Sequence, residues 1–276
     1  MNIKLIDVWK LDTYDTELLD ELRLYAQLIQ DYMNTESQLF VERIAADRRS
    51  VPPTNPHHGK YLWLIEHIMD YMKSRTIRAW HYTRLTDEEV ETLRRTGVYP
   101  STLETTHQRL NARVLAGDLS AEIADALFDA SPFRNSQQLK ARGNQFWMVS
   151  NPLESDDDRV ELLLGNWGGE AVYLWLKDTK LKSLVANLGE PRVLEIAVPI
   201  SVTNHAYGAA EAVLGAYGLS LGCSPERETF DLHSTSALGP DAVIAVHTEG
   251  EPDFAVLGRG YPVGFACEQS ESLSEA

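Results

Sequence analysis

Ile77-Arg78-Ala79-Trp80-His81-Tyr82-Thr83-Arg84, followed by Leu85 and then Thr86-Asp87-Glu88-Glu89, is the stretch on which the fold turns. Ile77 to Thr83 has the aromatic and β-branched composition of a strand. Thr86 with Glu89 three residues on is a capping box, so a helix starts there, and Gly97 ends it. A strand thus runs directly into a helix. Downstream, Gln145 to Val149 and Val193 to Ile200 read as further strands, the second buried, and Ala242 to Val246 and Phe254 to Leu257 as closing strands. Ser101 to Ala130 is mostly helical, broken near Gly117, with Ser120 as a second cap and Pro132 as a stop. Val160 to Leu164 is one helical turn, and Ala206 to Tyr217 a helix of small residues. These pieces predict an α+β domain with a mixed or antiparallel sheet core.

Upstream the pattern differs. Ile3 to Val8 is a short strand, and Leu18, Leu19, Leu22, Leu24, Tyr25, Leu28, Ile29, Tyr32 and Met33 recur at helical spacing, which predicts one long amphipathic helix reaching Ala46. Residues 48–59 hold Pro52, Pro53, Pro56 and Gly59 and form a loop; a second helix runs from Tyr61 to Lys73. The predicted organisation is an N-terminal helical segment (1–75), an α+β catalytic domain (76–265) and an acidic tail (266–276) whose composition is that of a disordered end.

The 276 residues are 43% hydrophobic and 24% charged, which is globular composition with room for a sizeable core. A net charge of −16 excludes a protein that holds nucleic acid on a broad basic surface. Asp7, Asp12 and Asp15 break the apolar stretch a signal peptide needs, and no apolar run approaches bilayer-spanning length. A cytoplasmic protein without a membrane partner is therefore expected. Cys223 and Cys267 form no C-x-x-C, and the histidines lack metalloprotease or zinc-finger spacing, so no metal is expected. Asp156-Asp157-Asp158 lacks the glycine and spaced oxygens of a calcium loop. Phosphate-binding loops, dinucleotide fingerprints and serine elbows are absent too.

Two runs carry chemistry. Trp80-His81-Tyr82-Thr83-Arg84 puts an imidazole, two hydroxyls and a guanidinium at one strand end, an edge suited to a phosphate-bearing ligand; in an ordinary strand the same residues would be core and surface. In Trp167-Gly168-Gly169-Glu170 the glycines allow close backbone approach, the indole offers a stacking face, and the carboxylate opens an apolar run; the plain alternative is a glycine turn with a solvated acid. The charged run Glu226 to His233 reads more simply as a solvated face.

The order of these pieces is similar to the ADP-ribosyltransferase fold, in which a first strand bears His or Arg, a second element an aromatic or Ser, and a later strand opens with an acid. Trp80 to Arg84 resembles the first-strand signature of the His-type branch, and Gln145 to Met148 its second strand. Ile77 to Leu257 also resembles an uncharacterised bacterial family with the runs HYTR and WGGE, to which no activity is assigned. Two features depart from the transferase pattern: the second motif has no Tyr-x-x-Ser-x-x-Asn form, and the acid is not paired as Glu-x-Glu or Gln-x-Glu. The transferase resemblance implies NAD as substrate, a glycosyl-transfer reaction, and a protein or nucleic-acid acceptor. It implies Glu170, or alternatively Asp231, as the acid that stabilises an oxocarbenium-like transition state. It further implies His81 at the adenosine-side ribose or the diphosphate, with Arg84 on a phosphate. Trp147, Trp167 or Tyr82 would stack on nicotinamide, with Thr83 and Gly169 in the binding wall. A second reading, from another class, is a non-catalytic ligand-binding or protein-interaction module; convergence of His81, Arg84 and Glu170 on one pocket separates the two.

Overall fold

The computed structural model describes residues 4–45, 53–135, 144–154, 158–174, 176–225 and 230–265. The predicted acidic tail, Cys267, Asp156, Asp157 and residues 226–229 lie outside them. The chain is mixed α and β and divides into two compact units, residues 1–78 with 198–230, and residues 79–197 with 231–276.

In the first unit, strand β1 (Leu5–Ile6) pairs in parallel with Thr76 and Ile77. Helix α1 (Thr16–Leu24) starts on Asp15, whose carboxylate accepts from the Leu18 N–H at 2.9 Å. The single long helix expected here is two. Tyr25 leaves helical geometry (φ −105°, ψ 13°) and α2 (Ala26–Ala45) begins immediately after it. Apolar periodicity misses this break because α2 restarts with Ile29 and Met33 still on the buried side. Helix α3 (His58–Lys73) buries Tyr61, Leu64, Ile65, Ile68 and Met72. Arg75 then ties the unit's start to its end, donating Nε–H to Asp15 at 2.7 Å and an Nη2–H to Glu17 at 2.9 Å. The small-residue helix, α11 (Ala206–Ser220), packs here on α2 and α3 and not with the 76–265 region to which sequence assigned it. Its composition is the reason: a Cβ on Gly218 would stand 2.3 Å from the Met33 sulfur, so helices this close admit only small residues.

The second unit is built on a sheet with strand order β5-β3-β2-β4-β6, where β2 is Thr76–Leu85, β3 Phe146–Val149, β4 Glu190–Pro199, β5 Asp231–Ser234 and β6 Val243–Thr248. The pairs β2–β3, β3–β5 and β4–β6 are antiparallel, and β4–β6 is bulged at Glu195/Ile196. Helix α4 (Asp87–Thr96) carries both bonds of the Thr86–Glu89 capping box and stops at Gly97, φ +82°. Helices α5 (Leu103–Ala116) and α6 (Ala121–Ala130) are separated by a left-handed Gly117 and the Ser120 cap. α6 ends at Ala130, two residues before Pro132, as expected of a stop, and Pro132 then opens the short α7 (Pro132–Asn135), where its missing N–H costs nothing.

Beyond β3, the order is α8 (Arg159–Gly165), α9 (Glu170–Tyr173) and α10 (Thr179–Asn187). Phe254 to Leu257, expected as a strand, lies in α12 (Pro252–Leu257): Pro252 presets helical φ in the first turn, and Phe254 is buried. One apolar cluster gathers Leu110, Leu127, Trp167, Val172 and Val185; another gathers Trp80, Tyr82, Val149, Leu164, Val193 and Phe254. Among the described residues no helix is long and apolar enough to cross a membrane.

Candidate functional site

A cavity of about 590 Å³ opens in the second unit, walled by the C-terminal half of β2, by β3, by α4 and α5, and by the glycine turn into α9. His81, Tyr82, Thr83, Trp147, Gly169 and Glu170 all line it, as does the alternative acid Asp231. Arg84 and Trp167 do not.

The strand period explains the β2 contribution. His81 and Thr83 share one face, whereas Tyr82 faces the apolar cluster on the other, its hydroxyl placed to donate to the carbonyls of Pro152 (2.8 Å) and Leu257 (2.9 Å). Burial pushes the Tyr82 phenol up, so it stays protonated. His81 Nδ1 lies 2.7 Å from the Trp147 carbonyl, an acceptor only, which puts the proton on Nδ1. Nε2 then carries a lone pair and has no partner among the described residues. Burial pushes His81 down to about 4; the Trp147 carbonyl opposes that shift, and the Arg109 charge adds to it. At neutral pH this imidazole is an uncharged acceptor, suited to a hydroxyl or amide donor and unsuited to a phosphate oxygen. Phe146 flanks the His81 ring at 4.4 Å between centroids, and His233 flanks Trp147 at 4.7 Å.

Glu170 owes its place to the two residues before it. Gly168 (φ +90°) and Gly169 (φ +63°) occupy conformations that L side chains rarely adopt, and a Cβ on Gly168 would stand 2.4 Å from a Val172 methyl. The chain can therefore turn sharply enough to start α9 with the half-buried Glu170 on the cavity wall. Asp231 is exposed, opens β5 and pairs with Val149.

Arg84 and Trp167 have other uses. Arg84 donates Nε–H to the Leu188 carbonyl at 2.8 Å and an Nη1–H to that of Leu164 at 3.3 Å, so it ties together the C-terminal ends of α8 and α10 and does not line the cavity. Trp167 is wholly buried, with its indole N–H donated to Glu89 at 2.7 Å, and offers no face for stacking on nicotinamide. Arg109, on α5, is one of three arginines on the cavity wall, with Arg113 and Arg159. Its Nε–H donates to Glu89 at 2.7 Å, and its guanidinium lies over the Trp167 ring, 4.8 Å from the centroid. Burial alone would raise the Glu89 carboxyl, but the Arg109 charge and the hydrogen bonds from Thr86, Arg109 and Trp167 hold it below its ordinary value. Burial likewise works against the charged Arg109, and Glu89 more than offsets it.

Sequence reading saw Glu89 only as a helix cap and Arg109 only as a helix residue. Tyr99 and Gln145, also on the wall, carried no signal of their own. No group of three or more His, Cys, Asp or Glu side chains among the described residues is placed to hold a metal ion. No family model matches the chain, and comparisons with curated proteins and with solved structures gave no match.

Proposed function

We propose that the second unit is an ADP-ribosyltransferase-like enzyme that binds NAD in this cavity and cleaves its nicotinamide–ribose bond, passing ADP-ribose to a macromolecular acceptor or to water. The observation that carries the reading is the shared cavity. His81, Thr83, Trp147, Gly169 and Glu170, drawn from three separate segments of sequence, line one space.

Each residue then has a role that follows from its chemistry. His81 Nε2 accepts from a ribose hydroxyl, which narrows its expected role away from the diphosphate, because a neutral acceptor repels a phosphate oxygen. Trp147 supplies the flat wall for the nicotinamide ring, a role that fully buried Trp167 cannot share. Glu170 faces the ribose carbon as the C–N bond breaks. The bonding pair leaves on nicotinamide, positive charge passes to the sugar, and the carboxylate stabilises it until the acceptor attacks and gives up its proton. The non-catalytic reading keeps one specific support: Arg84, the phosphate partner the resemblance implies, is spent on two carbonyls.

Glu170→Gln tests the proposal. NAD affinity by calorimetry is expected to stay within a few-fold of native, while nicotinamide release falls by at least roughly a hundredfold. Full turnover in that variant would remove Glu170 from the chemistry. If the native protein binds none of NAD, ADP-ribose and nicotinamide, the non-catalytic reading replaces this one.

A further inference from the structure

Arg109 is under-used by the protein that buries it. A guanidinium has five N–H donors, and among the described residues only Nε–H finds an acceptor, the Glu89 carboxylate at 2.7 Å. Nη2 is shut away from water with no hydrogen-bond partner. Holding such a group charged in the interior is costly unless something further satisfies it. Arg113, also on the cavity wall, spends Nη1 on Asp118 and Nη2 on Glu88 and leaves only a buried Nε unpartnered, whereas at Arg109 neither Nη nitrogen has a partner among the described residues. Arg109 is also locked in orientation, since Glu89 fixes Nε and the Trp167 ring fixes the plane. A planar guanidinium held rigidly on a cavity wall, with neither Nη nitrogen bonded to the protein among the described residues, is suited to recognition of an oxyanion.

Two further groups on the same wall extend the pattern. Tyr99, close enough for its charge state to be felt by Arg109, has a hydroxyl with no partner among the described residues. Gln145 donates from Nε2 to His233 at 3.2 Å, but its Oε1 is buried with no partner. One ligand would satisfy all three if it carried an oxyanion for Arg109 and Tyr99 and an O–H or N–H donor for Gln145.

We propose that Arg109 is the anion anchor of this cavity, that the anion is a phosphate or diphosphate, and that Gln145 takes a hydroxyl or amide donor of the same molecule. Phosphate is favoured over carboxylate because a tetrahedral oxyanion keeps acceptors outside the guanidinium plane, where a hydroxyl such as that of Tyr99 can serve them. The inference deepens the NAD reading by naming its phosphate subsite, but it stands on unmatched polar atoms and not on turnover.

The test is titration of inorganic pyrophosphate, ADP-ribose and malonate into the native protein, Arg109→Lys and Tyr99→Phe, with circular dichroism confirming the fold. Lysine preserves a charge beside Glu89 but loses the fork, and Tyr99→Phe leaves the buried pair untouched. Pyrophosphate and ADP-ribose are expected to bind the native protein and to compete, with malonate weaker. Both phosphates should weaken roughly tenfold or more in Arg109→Lys and a few-fold in Tyr99→Phe. Binding that is equal in native and Arg109→Lys, or malonate binding as tightly as pyrophosphate, or no phosphate binding at all, overturns the proposal. Arg109-dependent pyrophosphate binding without any binding of NAD or nicotinamide would uphold the anchor and defeat the NAD reading. NAD turnover indifferent to Arg109→Lys would do the reverse.

Discussion

Replacing Glu89 with Gln removes one charge and almost no volume, at the point where a helix cap, a cation and an indole meet. In the native protein Oε2 accepts from the Thr86 N–H at 3.0 Å and from the Trp167 indole at 2.7 Å, while Oε1 accepts from Arg109 at 2.7 Å. A Gln carbonyl can keep one set of these bonds, but its NH₂ then faces a donor, and Arg109 is left buried without its countercharge. Breaking a fully buried pair costs about 3–5 kcal/mol. Here the side chains of Arg109 and Glu89 remain 22% and 13% exposed, so the low end applies, about 3 kcal/mol. With a urea dependence of about 2 kcal/mol per molar, the midpoint should fall by about 1.5 M. Unfolding followed by tryptophan emission reads this directly. The acid limb gives a second check. Because the folded Glu89 carboxyl titrates below its ordinary 4.5, its stabilisation is complete above that value and is lost as pH falls through the depressed folded value. The variant should lack this part of the acid limb. A midpoint within about 0.3 M of native, with an unchanged acid limb, would refute the view that Glu89 holds Arg109 in place.

His81 makes an acid limb of its own. Its folded value near 4 lies below the ordinary 6.5, so the unfolded chain binds the extra proton first, and stability declines as pH drops from 6.5 to 4 by about 3 kcal/mol at most. His81→Gln should flatten the urea midpoint over that window, and a native midpoint that does not change between pH 6.5 and 4 would remove the desolvated, neutral imidazole from the argument. Gly168→Ala forces both a φ of +90° and a contact with Val172, so a loss of about 1–3 kcal/mol is expected, read as a lowered melting temperature; a melt unchanged within a degree would show that the turn into Glu170 is not constrained as described.

The parts of the fold that were legible in sequence are those fixed by contacts a few residues apart. Thr86 and Glu89 are three residues apart and form the reciprocal bonds that their types predict. Gly117 and Ser120 punctuate α5 and α6 for similarly local reasons. What was not legible depended on partners distant in sequence. Nothing between Leu18 and Met33 marks the break at Tyr25, whose ring meets Trp63 edge-on at 5.5 Å, 38 positions later in number and on another helix. The destination of α11 was likewise invisible. Gly218 states that something packs closely, and only the folded chain shows that the neighbour is Met33.

The same division runs through the site and explains why the two arginines exchange parts. Arg84 directly follows a pair of chemically suggestive hydroxyls, Tyr82 and Thr83, and local pattern therefore recruits it to the ligand. Its guanidinium is instead consumed by the carbonyls of Leu164 and Leu188, groups that every sequence contains and no motif records. Arg109 sits in a helix with nothing around it to suggest chemistry, yet two partners far along the chain, Glu89 and Trp167, hold it against the cavity. Trp167 was singled out as a stacking face for a ligand, but its buried indole instead lies against the Arg109 guanidinium. A residue's type sets what it can do, but which of its hydrogen bonds the fold has already used decides what remains for a ligand. In this cavity the groups left over include an imidazole lone pair at His81, an amide oxygen at Gln145 and the Nη nitrogens of Arg109. On the proposed reading these groups favour a ligand with donors at one part and negative charge at another, as a sugar phosphate has and an apolar ligand lacks.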